Sequence, residues 1–169
     1  MKNEQSNRSA RTRGGVAIRG ALLALAILGA GAAIAHGDVT PQAVDTHELK
    51  ALGAEWRTQN PYRDGGEKAI AVKIGTSAFN QNCARCHGLE AISGGIAPDL
   101  RRLDRDCVDI AAADKKLACY VETDQYFLAS IRRGKVRNGA VYMPPFEGVL
   151  NQEAMWSIKA YLETRRTNE

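Results

Sequence analysis

Cys83-Ala84-Arg85-Cys86-His87 places two thiols and an imidazole side by side in the chain. Two cysteines at this spacing can close a disulfide, act as a redox dithiol or supply half of a zinc site. They can also add across the two vinyl groups of a haem, with the next residue carried beneath the iron as its proximal ligand. A zinc site needs two further ligands at similar spacing, and they are missing. A thioredoxin-like dithiol belongs in a βαβ context, which the surrounding pattern lacks. The adjacent His87 and an amphipathic helix ahead of the motif favour one covalently attached haem c, held through Cys83 and Cys86.

A sixth iron ligand follows by elimination. The histidines are His36, His47 and His87, and the thioethers beyond Met1 are Met143 and Met155. Met155 falls within a helical pattern next to Trp156 and is expected to pack there. Met143 sits in Val141-Tyr142-Met143-Pro144-Pro145-Phe146, where two prolines stiffen the chain and remove backbone donors. Such a loop can hold a soft, neutral sulfur on iron, opposite His87, and His/Met ligation raises the reduction potential. His36 and His47 precede the motif and are expected at the surface. Cys107 and Cys119 complete the cysteine count, and neither is followed by a histidine. In an oxidising compartment they are candidates for a disulfide worth about 3 kcal/mol. Two free redox thiols near Lys115 and Lys116 are the alternative.

The elements that must position these groups read as helices. Ile70, Ile74 and Ala78 form one helical row, and Ala71, Gly75 and Phe79 form its neighbour, in a helix running into Cys83. A second helix is predicted over Thr123–Arg133, with Thr123 as cap, Asp124 at its positive end and Gly134 after its last turn. A third starts at Asn151 and runs to about Arg165, burying Ala154, Ile158, Tyr161 and Leu162. Strand-like alternation is scarce, so the expected class is all-α. Loops this long need something to wrap, and haem supplies it. Residues 36–66 read as a polar arm lying on the domain, with isolated apolar residues such as Leu49, Leu52 and Trp56 and one short helix at most.

The charge is informative through its location. The first 35 residues hold Lys2, Arg8, Arg11, Arg13 and Arg19 against Glu4 alone. Removing them from 23 basic and 19 acidic side chains leaves 18 of each, so basicity is no argument for a nucleic-acid partner. The apolar stretch Gly20 to Ala35 is short of the ~20 residues that span a membrane. It ends on the small-x-small pattern Ala33-Ile34-Ala35. A signal peptide over 1–35, cleaved after about Ala35, is expected, with no permanent membrane anchor. That gives three segments: 1–35, the arm 36–66 and a domain over 67–169. Arg132, Arg133, Lys135 and Arg137 either steer an acidic partner or form a solvated helix end.

With Gly75 and Phe79 before the motif, Met143 after it and Tyr161 in the last helix, the chain resembles the class I cytochromes c over roughly residues 67–165. The resemblance implies a class I cytochrome c fold wrapped around one haem. It also implies that the Pro98 carbonyl accepts the His87 ring N–H, which would orient the ligand and strengthen it as a donor. Within the class, His36 to Pro41 and Asn80 to Glu90 are similar to soluble cytochromes serving pyrroloquinoline-quinone alcohol dehydrogenases, notably quinoprotein ethanol dehydrogenase. The resemblance therefore implies a monomeric periplasmic electron carrier that is not an enzyme. Its donor would be such a dehydrogenase and its acceptor a terminal oxidase or another cytochrome. The alternative is a haem enzyme or sensor with a displaceable sixth ligand, peroxidase-like or gas-binding.

Overall fold

The computed structural model of the chain describes residues 40–167. The expected leader, its cleavage point and His36 lie outside the described residues.

Helix α1 spans Lys68–Asn82 and buries Ala71, Ile74, Gly75, Ala78 and Phe79, which recur at helical spacing on one face. The last helix, α5, spans Gln152–Thr164. The side-chain oxygen of Asn151 caps it by accepting the Ala154 N–H at 2.9 Å. These two helices cross with their backbones almost touching. A Cβ built on Gly75 would lie 1.9 Å from the Ser157 carbonyl oxygen, so only glycine permits the approach. Beside the crossing, Phe79 and Tyr161 pack with ring centroids 5.3 Å apart and planes tilted by 46°, within the favourable range for an aromatic pair.

Between the two helices lie α2 (Ala84–His87), 3-10 turns at Leu89–Ala91 and Leu100–Arg102, α3 (Arg105–Val108) and α4 (Ala113–Arg133). A disulfide joins Cys107 of α3 to Cys119 of α4, with Cα atoms 5.6 Å apart. Beyond α4, strands β1 (Lys135–Arg137) and β2 (Ala140–Met143) form an antiparallel hairpin.

The second helix differs from its sequence expectation. It begins ten residues before the predicted cap, after Ala112. Thr123 lies inside it, and its hydroxyl donates back to the Tyr120 carbonyl at 3.1 Å. Asp124 is not a dipole partner at a helix start but a fully buried carboxylate. Its end does match: Gly134 follows with φ +68° and donates its N–H to the Ser130 carbonyl. The all-α class also needs amending. The protein is predominantly helical, but Asn138 and Gly139, with φ of 51° and 77°, make the tight turn of a hairpin.

Segment 40–66 contains no helix. It winds over α5 as extended chain and turns, giving its backbone groups partners on the helix. Leu52 N–H donates to Glu153 Oε1 at 2.7 Å, and the Gln152 amide bonds Arg57 N–H, Gly53 O and Glu55 O. For that reason α5 is buried all round from Gln152 to Leu162, polar residues included. Tyr62, 1% exposed, enters the apolar core beside Phe79, Trp156 and Ile158.

An ionic cluster lies on the same side. Lys159 is fully buried, with Nζ 2.6 Å from Asp104, 2.7 Å from Glu163 and 3.3 Å from Asp124. Arg63 reaches Asp124 at 2.7 Å and Glu163 at 2.9 Å, and Arg166 holds Asp104 at 2.6 Å. Both guanidinium groups lie over the Tyr120 ring. Three cations thus face three carboxylates, which offsets the desolvation of each.

Candidate haem site

The end of α1 delivers the cysteine motif. Cys83 N–H continues the helical pattern by donating to Phe79 O at 2.8 Å. Cys86 and His87 then donate their N–H groups to Cys83 O at 3.1 and 3.0 Å, closing one tight turn. Cys83 is buried and Cys86 half-buried, and both are free thiols. Burial pushes the Cys83 thiol up to about 12. A reactive dithiol needs the opposite shift, towards thiolate. Among the described residues, no group of three or more His, Cys, Asp or Glu side chains is placed to hold a metal ion.

His87 Nδ1 lies 2.9 Å from the Pro98 carbonyl oxygen. A carbonyl only accepts, so Nδ1 carries the proton and Nε2 keeps the lone pair that a metal would take. Burial holds the imidazole below its ordinary pKa, against the opposing pull of that hydrogen bond. The neutral form required of a ligand is therefore favoured.

Met143 closes β2, paired with Lys135 and partly buried against the core. Its position is fixed from two directions. Gly134 lies against it so closely that a Cβ there would meet Met143 O at 2.2 Å. On the other side Phe146, 2% exposed, donates its N–H to Ile131 O at 3.0 Å. The placement of this residue thus owes as much to a strand, Ile131 on α4 and Gly134 just after it as to Pro144 and Pro145. Met155 is fully buried in the core. His47 is exposed and bonds Asp45 at 2.8 Å.

The donor set suits a haem. Two thiols share one helical turn, a neutral imidazole offers Nε2, and a soft sulfur sits on a braced strand. The stretches bearing these donors also carry apolar side chains with little protein cover: Leu89 and Ile96, 73% and 81% exposed, and Val136 and Val141 on the hairpin. Residues of this kind fit a large apolar macrocycle better than they fit water.

Residues 71–162 match the family described as cytochrome c oxidase, cbb3-type, subunit III. The match runs from α1 into α5 and encloses every candidate donor. The chain is 49% identical to cytochrome c550 of Pseudomonas aeruginosa over 90% of its own length and 96% of that protein's. It belongs to the cytochrome c family. This cytochrome is also 30% identical to two quinohemoprotein alcohol dehydrogenases of Pseudomonas putida, ADH-IIG and ADH IIB. Those matches cover 56% of the chain and 11% of each enzyme. No solved structure matches it. Membership makes it an electron-transfer protein with haem c as its cofactor.

The basic residues around α4 and the hairpin do not act alike in this cytochrome. Arg132 is paired with Glu147 and stacked 4.1 Å over the Trp56 ring, so it braces segment 40–66. Lys135 lies 4.7 Å over the exposed Tyr126 ring. Arg133 and Arg137 are exposed. One group beside the site escaped the sequence reading. Asp99 caps the 3-10 turn after Pro98 and grips Arg101 with both oxygens, at 3.0 and 2.7 Å. The Pro98-Asp99 pair, a common turn start, was its only local signal.

Proposed function

We infer that the protein is a periplasmic carrier with a single covalently bound haem c. It would take single electrons from a pyrroloquinoline-quinone alcohol dehydrogenase and pass them to a terminal oxidase or another cytochrome. The match to cytochrome c550 along nearly the whole chain supports the carrier reading. The likeness to enzymes named quinohemoprotein alcohol dehydrogenase supports the choice of donor. The export pattern before His36 supports the compartment. No helix among the described residues is long and apolar enough to cross a membrane.

Bound haem c supplies a one-electron Fe(III)/Fe(II) couple. Cys83 and Cys86 would hold it covalently, as thioethers to its two vinyl groups. His87, oriented by the Pro98 carbonyl, would offer Nε2 to the iron. Met143, at the end of β2, would supply the second protein ligand to the iron. A His/Met ligand pair would favour the reduced state more than two nitrogen donors would. Arg133 and Arg137 are left to steer an acidic partner.

The ferric protein is expected to be low-spin and to show the weak near-red band of sulfur-to-iron ligation, and Met143→Ala should abolish that band. A high-spin wild type open to added ligands would overturn the carrier in favour of a haem enzyme or sensor. The donor is tested separately, by mixing the oxidised protein with purified quinoprotein dehydrogenase and ethanol at low ionic strength. Absence of reduction there would remove the dehydrogenase and leave the carrier.

A further inference from the structure

The Pro98 carbonyl can aim the His87 ring only if its own direction is fixed. The proline ring locks φ at position 98, and Ala97, preceding a proline, is confined to extended conformations. The remaining freedom is ψ of Pro98, and that torsion also places Asp99. Asp99 is itself held: Oδ1 accepts the Arg101 N–H at 3.0 Å and Arg101 Nε at 3.0 Å, and Oδ2 accepts Nη2 at 2.7 Å. Upstream, the Ser93 hydroxyl donates to Ala97 O and accepts the Gly95 N–H at 3.0 Å. Downstream, Asp104 is anchored in the buried cluster by Lys159 and Arg166. The carbonyl is thus clamped on both sides, and the fork is the clamp nearest to it.

We propose that Asp99 and Arg101 are positioning residues for the proximal ligand, acting on His87 through the Pro98 carbonyl. The proposal rests on the reading of His87 as that ligand. Loosening the fork lets ψ of Pro98 drift, weakens the hydrogen bond at Nδ1 and makes His87 a poorer donor to ferric iron. The midpoint potential then rises.

The sign of the shift separates positioning from simple charge. Removing the Asp99 carboxylate raises the potential on either account. Removing the Arg101 cation lowers it if charge alone matters and raises it if the fork aims His87. The test uses the haem-loaded protein and two readouts, the midpoint potential and the solvent exchange rate of the His87 Nδ1–H by NMR. Asp99→Ala and Arg101→Ala should both raise the potential and both speed exchange about tenfold, the factor expected for loss of one ordinary hydrogen bond. Asp99→Asn keeps the Oδ1 acceptor and should exchange at a rate closer to the parent than to Asp99→Ala. A lowered potential in Arg101→Ala with unchanged exchange would overturn the proposal. So would an Asn variant indistinguishable from Asp99→Ala in exchange. A parent whose His87 ring proton feels no paramagnetic shift in the ferric state would defeat the ligand reading and the proposal together.

Discussion

A methyl group at position 75 would have to occupy the space of the Ser157 carbonyl, 1.9 Å away. The Phe79–Tyr161 pair packs between the same two helices, so a shift that relieved the clash would disturb it as well. Gly75→Ala is therefore expected to destabilise the folded protein by about 3 kcal/mol, at the upper end for overpacking, measured as a lowered denaturation midpoint. If Gly75→Ala left the midpoint unchanged, the close crossing of α1 and α5 would be wrong. At this scale much was legible. Gly75, Phe79 and Tyr161 carried the family resemblance, and the structure brings them to one crossing. Arg132 was not legible: its basicity suggested steering, and only the positions of Trp56 and Glu147 make it a brace.

Among the elements, α4 shows where helical periodicity misleads. Residues 113–122 form half of the helix but bury almost nothing, and Leu117 is 54% exposed. An apolar face is the signal by which a helix is read, so this half left none. What holds it is Tyr120 beneath two guanidinium groups and the Cys107–Cys119 bond. Reducing that disulfide, or replacing both cysteines by serine, should cost about 3 kcal/mol in the chain-entropy account. Denaturation with and without reductant measures it, and equal midpoints would deny the bond a role in stability. The hairpin is the opposite case. Asn138-Gly139 is a strong two-residue turn signal, but its flanking residues were read as loop because the strands are short and wholly exposed except at Met143.

Across the whole molecule, the buried charges set the response to acid. Asp104 is lowered from 3.8 to about 2; hydrogen bonds and charge from Arg166 and Lys159 outweigh the cost of its burial. Glu163 is lowered as well, by Lys159 and Arg63, again against desolvation. Folded values below the unfolded ones mean that this stability is present above about pH 4 and is lost as pH falls towards 2. Asp104 alone accounts for roughly 2 kcal/mol. Stability measured from pH 5 down to pH 2 should fall accordingly, and in Asp104→Asn the fall should shrink while the stability at neutral pH drops. Lys159→Met should cost about 3 kcal/mol at neutral pH, because it removes the one fully buried cation and leaves three buried carboxylates to share Arg63 and Arg166. A neutral result would mean that water reaches the cluster. Segment 40–66, α4 and α5 all contribute charges to it, so its loss should loosen them together.

The sequence by itself determined the local chemistry. Cys83 to His87 implied haem c because thiol and imidazole spacing is covalent and needs no fold to be read. The first and last helices were legible from their apolar faces, and the last with its Asn151 cap, because both are short-range signals. Only the tertiary structure decided what partners arrive from far along the chain. The Asn60–Asp124 and Lys159–Asp104 contacts join residues 64 and 55 positions apart. Nothing in the sequence around a charged residue records the burial or the counter-charge that a distant segment will bring.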